Sequence, residues 1–145
     1  MSELVGARPP GWLRLLAFVG ILWDLIGVAT YLQKVGLFGD PLAALSDAER
    51  ALAESVPAWV TGAFAVGVFA GLLGAIGLAA LRKWARPLLI ISLLGVLGQC
   101  GWIVFVSDAP AIRGLAGIAM PALITAIAIL LAWLSHVGTR KGWLK

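Results

Sequence analysis

Hydrophobic residues in this chain are gathered into four long runs with polar stretches between them. The runs cover residues 12–35, 58–81, 88–106 and 115–134. A helix that spans a bilayer needs about 20 apolar residues, because the hydrocarbon core is about 30 Å thick. Lipid offers no hydrogen-bonding partner to a free backbone amide, so each run is expected to be helical. The pattern predicts an all-α fold, a four-helix transmembrane bundle that forms a single domain over residues 1–145.

The connection between the first two runs, residues 36–57, is too long for a bare turn. Asp40 followed by Pro41 is one candidate helix start, and Ser46 followed by Glu49 has the spacing of a capping box. Four apolar residues then share one helical face: Leu42, Leu45, Ala48 and Leu52. The pattern predicts a short amphipathic helix in the first extracytoplasmic loop, lying on the outer membrane surface or over the end of the bundle. A lid over a binding site is the functional alternative.

Composition places the chain among membrane proteins. Of its 145 residues, 61% are hydrophobic and 12% are charged, whereas a soluble domain is about half apolar and about a quarter charged. The net charge of +4 does not indicate nucleic-acid binding, because the basic residues lie at the ends of the apolar runs. The expected partner is therefore the lipid bilayer, and no nucleic-acid partner is expected.

The basic residues are unevenly divided between the two sides of the membrane. One side holds eight: Arg8, Arg14, Arg82, Lys83, Arg86, Arg140, Lys141 and Lys145. The other side holds three: Lys34, Arg50 and Arg113. Cytoplasmic loops carry the excess of lysine and arginine, so both termini are predicted to be cytoplasmic. The expected location is a bacterial inner membrane.

Small residues recur every four positions along the second run and form a ridge. Its members are Ala63, Gly67, Gly71, Ala75 and Ala79. Such a ridge lets the backbone of another helix approach closely, which favours van der Waals packing in lipid. Two interpretations stay open: the ridge packs within the chain, or it is a subunit interface.

Asp24 is the most informative polar residue. It lies about 18 Å into the first run, near the middle of a bilayer. Aspartate there costs about 2.5–3.5 kcal/mol on insertion scales, so it should face the bundle, protonated or paired. Gln99 and Thr125 reach a similar depth, which predicts a hydrogen-bonded cluster of Asp24 and Gln99, with Thr125 as a third candidate. A second polar group is predicted near the outer mouth: Tyr31, Gln33 and Thr61.

No pattern of residues indicates an enzyme. His136 is the one histidine and Cys100 the one cysteine, so the sequence offers no disulfide, no pair of haem ligands and no zinc cluster. The serines lack the glycines of a nucleophile elbow, and there is no phosphate-binding loop. We expect neither a catalytic activity nor a cofactor.

Several stretches of the chain form a recognisable pattern: Trp23–Gln33, Pro57–Trp59, Phe64–Gly71, Leu81–Leu88, Ser92–Leu93 and Gln99. Together they resemble a family of small bacterial four-span proteins, some of which carry a "sugar transporter" label. The resemblance covers about residues 20–107. It implies the four-span fold and marks six motif positions: Asp24, Tyr31, Gln33, Pro57, Trp59 and Gln99. This chain has Ala29 and Thr30 where the family pattern has a more polar pair.

The polar residues near the middle of the bilayer suggest two alternative functions. The leading interpretation is an accessory or self-assembling subunit of a membrane complex, in which Asp24 hydrogen-bonds neighbouring helices together. Its expected partner is another protein or a second copy of the chain. The alternative is a proton-coupled carrier of a small solute, with Asp24 as the group that binds the proton.

Overall fold

A computed structural model describes residues 9–37, 39–40, 43 and 45–145 of the chain. The described part contains four long helices and two short ones. In chain order they are α1 (Gly11–Lys34), α2 (Asp47–Glu54), α3 (Ala58–Ala79), α4 (Ala85–Gly101), α5 (Ala109–Arg113) and α6 (Ala116–Arg140). Three residues used in the sequence interpretation lie outside the described ranges: Arg8, Pro41 and Leu42.

The predicted all-α four-helix bundle is confirmed. Helices α1, α3, α4 and α6 are each long and apolar enough to cross a membrane, and the described residues form no strand. The third span is completed by a π-helix over Trp102–Val106, so that it covers Ala85–Val106. The fourth helix runs six residues past its predicted end at residue 134. The apolar run stops there, but the helical hydrogen bonds continue through the polar turns to Arg140.

The four spans form a curved row, in the order α1, α3, α4 and α6. Helix α3 packs along both α1 and α4, and α4 packs along α6. Helices α1 and α6 meet little, although Gly20 of α1 does approach Leu131 of α6. The row therefore leaves a gap between its first and last helices.

The gap is closed at one end of the bundle, which we call the tail end. Leucines from α1, α4 and α6 pack there into a buried core with Leu144 of the final segment. The backbone of Lys145 pairs with the connection between α3 and α4: its amide donates to the Leu81 carbonyl at 2.8 Å, and its carbonyl accepts from the Lys83 amide at 2.9 Å. Leu81 adopts a left-handed conformation with φ of 61°, which ends α3 and turns the chain into α4.

The opposite end, which we call the loop end, carries α2 and α5. The hydroxyl of Ser46 caps α2 by accepting a hydrogen bond from the amide of Glu49 at 3.2 Å. Leu52 is the buried residue of this helix, whereas Ala48, predicted on the same face, is exposed. The Arg113 guanidinium of α5 binds the Glu49 carboxylate of α2, with Nη2 2.8 Å from Oε2. This ion pair ties the two short helices together.

The ridge of small residues on α3 packs within the chain. Gly67, Gly71 and Ala75 are buried, and the third span lies directly against them. A Cβ atom at Gly95 of α4 would lie 2.7 Å from the Ala63 carbonyl oxygen, closer than any real Cβ contact. Ala63 and Ala79, at the two ends of the ridge, are half-buried. Of the two interpretations, the intrachain one matches the structure.

Candidate functional site

A cavity of about 810 Å³ lies between the spans in the half of the bundle nearer the loop end. Every long helix contributes to its wall, and residues from α2 and α5 line it at the loop end. Leu89 and Leu131, which belong to the leucine core, line it toward the tail end. Small-molecule sites in proteins usually enclose about 300–1,000 Å³, so this space is large enough for a solute.

Asp24 lies in the wall of this cavity, and among the described residues it is the one acid placed deep among the spans. Its side chain is 8% exposed. Its Oδ2 atom is buried and, among the described residues, has no hydrogen-bond partner. A buried polar atom normally has a partner, since the loss of its hydration costs about 1–3 kcal/mol when none replaces it. The unpaired oxygen of Asp24 is therefore a candidate binding site for a proton or for a ligand.

Two residues of the neighbouring helices shape the surroundings of Asp24. Gly71 of α3 presents bare backbone to it, since a Cβ atom there would lie 2.8 Å from Asp24 Oδ1 and 2.9 Å from Ser92 Oγ. Ser92 of α4 donates its hydroxyl proton to the Gly67 carbonyl oxygen at 2.6 Å. That proton is thus committed to a helix–helix bond and does not satisfy the aspartate. The sequence pattern gives no sign of this contact between Ser92 and the surroundings of Asp24.

The predicted hydrogen-bonded cluster of Asp24, Gln99 and Thr125 is wrong. Gln99 lines the same cavity and is 8% exposed, but no hydrogen bond joins it to Asp24 within the described residues. Thr125 does not line the cavity, and its hydroxyl donates to the carbonyl of Pro121 on its own helix at 2.8 Å. Equal depth in the membrane does not bring side chains together when a cavity separates the helices that carry them.

The structure places only two of the three residues of the predicted outer polar group in the cavity wall. Gln33 and Thr61 both line the cavity toward the loop end. Tyr31 does not; its ring packs edge-on against Phe64 and Phe69, with 5.6 Å between ring centroids in each pair. The tyrosine therefore joins α1 to α3, and two of the three predicted residues belong to the cavity.

Charged side chains surround the cavity where it meets the loop end. Lys34, Glu54 and Arg113 line it there, and Lys34 Nζ lies 5.5 Å from the centroid of the Phe64 ring. Hydrogen bonds from Arg113, together with its charge, lower the pKa of Glu49 below its ordinary value of 4.5. The sequence does not predict this ion pair, although opposite charges on the two loops of one membrane side are a signal for it.

Aromatic rings supply much of the remaining wall. Trp23 of α1, Phe64 of α3 and Trp102 of the third span all line the cavity. Trp102 begins the π-helical turn, a widened geometry that is frequent at functional sites. The resulting chamber is mainly apolar, with Asp24 deep in its wall, charged side chains at the loop end and a few hydroxyl and amide groups.

The described residues include no group of three histidine, cysteine, aspartate or glutamate side chains that could hold a metal ion. No family model, curated protein or solved structure matches this chain. Function is therefore argued from the cavity and from the chemistry of its wall.

Proposed function

We propose that this protein is a carrier that moves a small solute across a membrane and couples that movement to a proton bound by Asp24. The observation that supports the proposal is the free Oδ2 atom of Asp24, buried in the wall of a cavity large enough for a solute. An unpaired carboxylate is costly in apolar surroundings, so the site favours either a neutral carboxylic acid or a carboxylate paired with a ligand. Exchange between those two states links the binding of solute to the binding of a proton.

The shape of the cavity supports the same function. Leucines of the buried core bound it toward the tail end, and residues of α2 and α5 line it at the loop end. A carrier needs a site that is reached from one side at a time, and this shape is suited to one such state. The helix pair α1 and α6, which meet little, is where a rearrangement would break few contacts.

The accessory-subunit interpretation loses one of its supports. The ridge on α3 was the surface offered to a partner, and α4 covers it within the same chain. A subunit would have to bind its partner through another surface. That role also does not explain the cavity or the unpaired carboxyl oxygen of Asp24.

We also propose that the protein lies in a bacterial inner membrane with its tail end in the cytoplasm. Lys34, Arg50 and Arg113 lie at or near the loop end, whereas the other described basic residues flank the tail ends of the spans. The excess of positive charge at the tail end supports a cytoplasmic location for it. The resemblance of residues 20–107 to small bacterial four-span proteins supports the same membrane.

Reconstitution in liposomes tests the carrier function. Purified protein is placed in vesicles that enclose a pH-sensitive dye, and sugars, amino acids and amines are added outside one at a time. We expect the movement of at least one class to drive a movement of protons, and Asp24→Asn to abolish that coupling while the protein stays folded. Asp47→Asn, an exposed aspartate on α2, is the matched control and should transport normally. Solute movement that is unaffected by Asp24→Asn would contradict the proposal.

Cysteine labelling tests the orientation. Cys100 is replaced by alanine, and single cysteines are introduced for Asp47 on α2 and for Lys83 at the tail end. In intact spheroplasts, a membrane-impermeant maleimide should label position 47 and should label position 83 only after lysis. The reverse result would invert the proposed orientation without affecting the carrier function.

A further inference from the structure

The cavity opens sideways, through the gap between α1 and α6. Ile26 of α1 and Met120 of α6 both line it, yet they are 64% and 53% exposed on the surface of the bundle. Residues that line a cavity and also lie on the outer surface mark the rim of an opening. These two stand within helices that are apolar enough to span the membrane, so the opening faces hydrocarbon. A solute dissolved in the bilayer has a direct route to the cavity.

The two described cations that line the cavity, Lys34 and Arg113, are not paired with Asp24. Among the described residues, Asp24 takes part in no ion pair. Lys34 lies ten residues further along the same helix, about 15 Å away along its axis, and rests over Phe64. A neutral solute could donate a hydrogen bond to the carboxylate but would leave its charge uncompensated in a largely apolar space. A cation with an N–H group both donates a hydrogen bond to the carboxylate and compensates its charge.

The aromatic rings favour the same kind of ligand. Trp23, Phe64 and Trp102 line the chamber, and aromatic rings attract ammonium groups that approach their faces. The same apolar wall accommodates a hydrocarbon body. Charge and shape thus select one chemical class, an ammonium group attached to an apolar chain or ring.

We infer that the solute is a lipid-soluble organic amine in its cationic form, which enters from the bilayer between α1 and α6 and displaces the proton of Asp24. This inference rests on the proposed function, since it names the solute of the same site. The exchange is balanced: the carboxylic acid gives up its proton to solution, and the ammonium ion pairs with the carboxylate that remains. No covalent bond forms or breaks other than the O–H bond of the acid.

Binding to the protein in lipid nanodiscs tests the solute class. The probes are octylammonium, octanesulfonate and octanol, which share a chain and differ in charge. Empty nanodiscs correct for partition into lipid. The cation should bind with release of about one proton per site, whereas the anion and the alcohol should bind at least about tenfold more weakly and release none. Equal binding of the alcohol, without proton release, would overturn the cationic class.

The dependence of cation binding on Asp24 is measured in two ways. Asp24→Asn should weaken binding of the cation by about ten- to a hundredfold and remove the proton release, with binding of octanol unchanged. Because the variant could also disturb folding, the wild-type protein provides the second measurement. Where the acid is protonated, each pH unit of acidification should weaken cation binding about tenfold. Cation binding that does not vary with pH would overturn the exchange.

The lateral route is tested with bulky residues at the rim. Ile26→Trp combined with Met120→Trp should slow association of the cation at least about tenfold by narrowing the opening. Leu25→Trp combined with Leu123→Trp is the matched control, because those residues are exposed on the same helices but do not line the cavity. Equal association rates in both pairs would overturn the route between α1 and α6.

The two proposals fail in different ways. If the cation binds with proton release but does not cross a sealed vesicle, the carrier function fails and the cation site stands. If a neutral solute crosses with a proton and the cation does not bind, the carrier function stands and the assignment of the solute class fails.

Discussion

Gly71 and Asp24 are matched to each other across the contact between α3 and α1. A Cβ atom at position 71 would lie 2.8 Å from Oδ1 and 3.1 Å from Cγ of Asp24. Real Cβ atoms essentially never come so close to another atom. The bare backbone at this position is what lets the carboxyl group occupy the wall of the cavity, and it gives one member of the ridge a role besides helix packing.

Gly71→Ala should therefore impair the site more than the fold. The added methyl group pushes the Asp24 side chain away from α3, and also crowds Ser92 Oγ at 2.9 Å. We expect a loss of proton-coupled uptake of about tenfold or more, with the helix content in circular dichroism preserved. Overpacking of this kind costs about 1–3 kcal/mol, which should appear as earlier unfolding in detergent titration.

Gly62→Ala is the matched control for that variant. Position 62 lies on the same helix, and a Cβ atom there would have no neighbour within 4 Å. Uptake by this variant should equal that of the wild type. If Gly71→Ala also transports normally, the contact with Gly71 does not fix the position of the Asp24 carboxyl group in the cavity wall. The role proposed for that carboxyl group then loses its structural basis.

The sequence predicts the fold better than it predicts the site, for a physical reason. The length and hydropathy of each span are local properties, so α1, α3, α4 and α6 can be found from residue types alone. Side-chain partners depend on how each helix is rotated, which composition does not specify. Thr125 illustrates the limit: its depth matches that of Asp24, yet its hydroxyl bonds within its own helix. The cavity arises from the gap in the row of helices, which no run of residues signals.

The hydrogen bond from Ser92 to Gly67 joins two spans, so its removal should loosen the bundle. Ser92→Ala deletes a buried donor that lies 2.6 Å from the Gly67 carbonyl oxygen. Hydrogen bonds between membrane helices contribute about 0.6 kcal/mol on average, and we expect a loss of that order in the free energy of unfolding. Ser135→Ala is the control, because that buried hydroxyl donates to the Ala132 carbonyl of the same helix. Equal losses of unfolding free energy in the two variants would show that the hydrogen bond between helices stabilises the protein no more than one within a helix.

The ion pair between Glu49 and Arg113 should make the loop end sensitive to acid. Since the pKa of Glu49 is lower in the folded protein than its ordinary value of 4.5, the pair stabilises the fold above that pH. The contribution is lost as the pH falls below 4.5 through the lowered value. Both side chains are partly exposed, so the effect should stay below about 1 kcal/mol and weaken with salt.

Hydrogen exchange of the amides in α2 and α5 is the suitable measurement of that effect. Measured relative to the intrinsic exchange rate at each pH, exchange there should speed up at acidic pH in the wild type, and Glu49→Gln should show the faster relative rate already at neutral pH. Glu54→Gln, which lacks the contact with Arg113, serves as the control. Exchange in α2 that is the same in Glu49→Gln and the wild type at neutral pH would mean that the ion pair does not hold the loops together.

Leu144 should be needed for closure of the tail end. It is 1% exposed, belongs to the leucine core and packs over Gly138, where a Cβ atom would lie 3.1 Å from its Cγ. Leu144→Ala leaves a cavity beside the pairing of Lys145 with Leu81, and buried leucine-to-alanine changes cost about 2 kcal/mol or more. Unfolding in denaturing detergent should shift accordingly, and the Lys145 amide should exchange faster with solvent. Leu130→Ala, at an exposed position of α6, should change neither quantity. If the two variants unfold alike, the core that closes the cavity does not depend on the final segment.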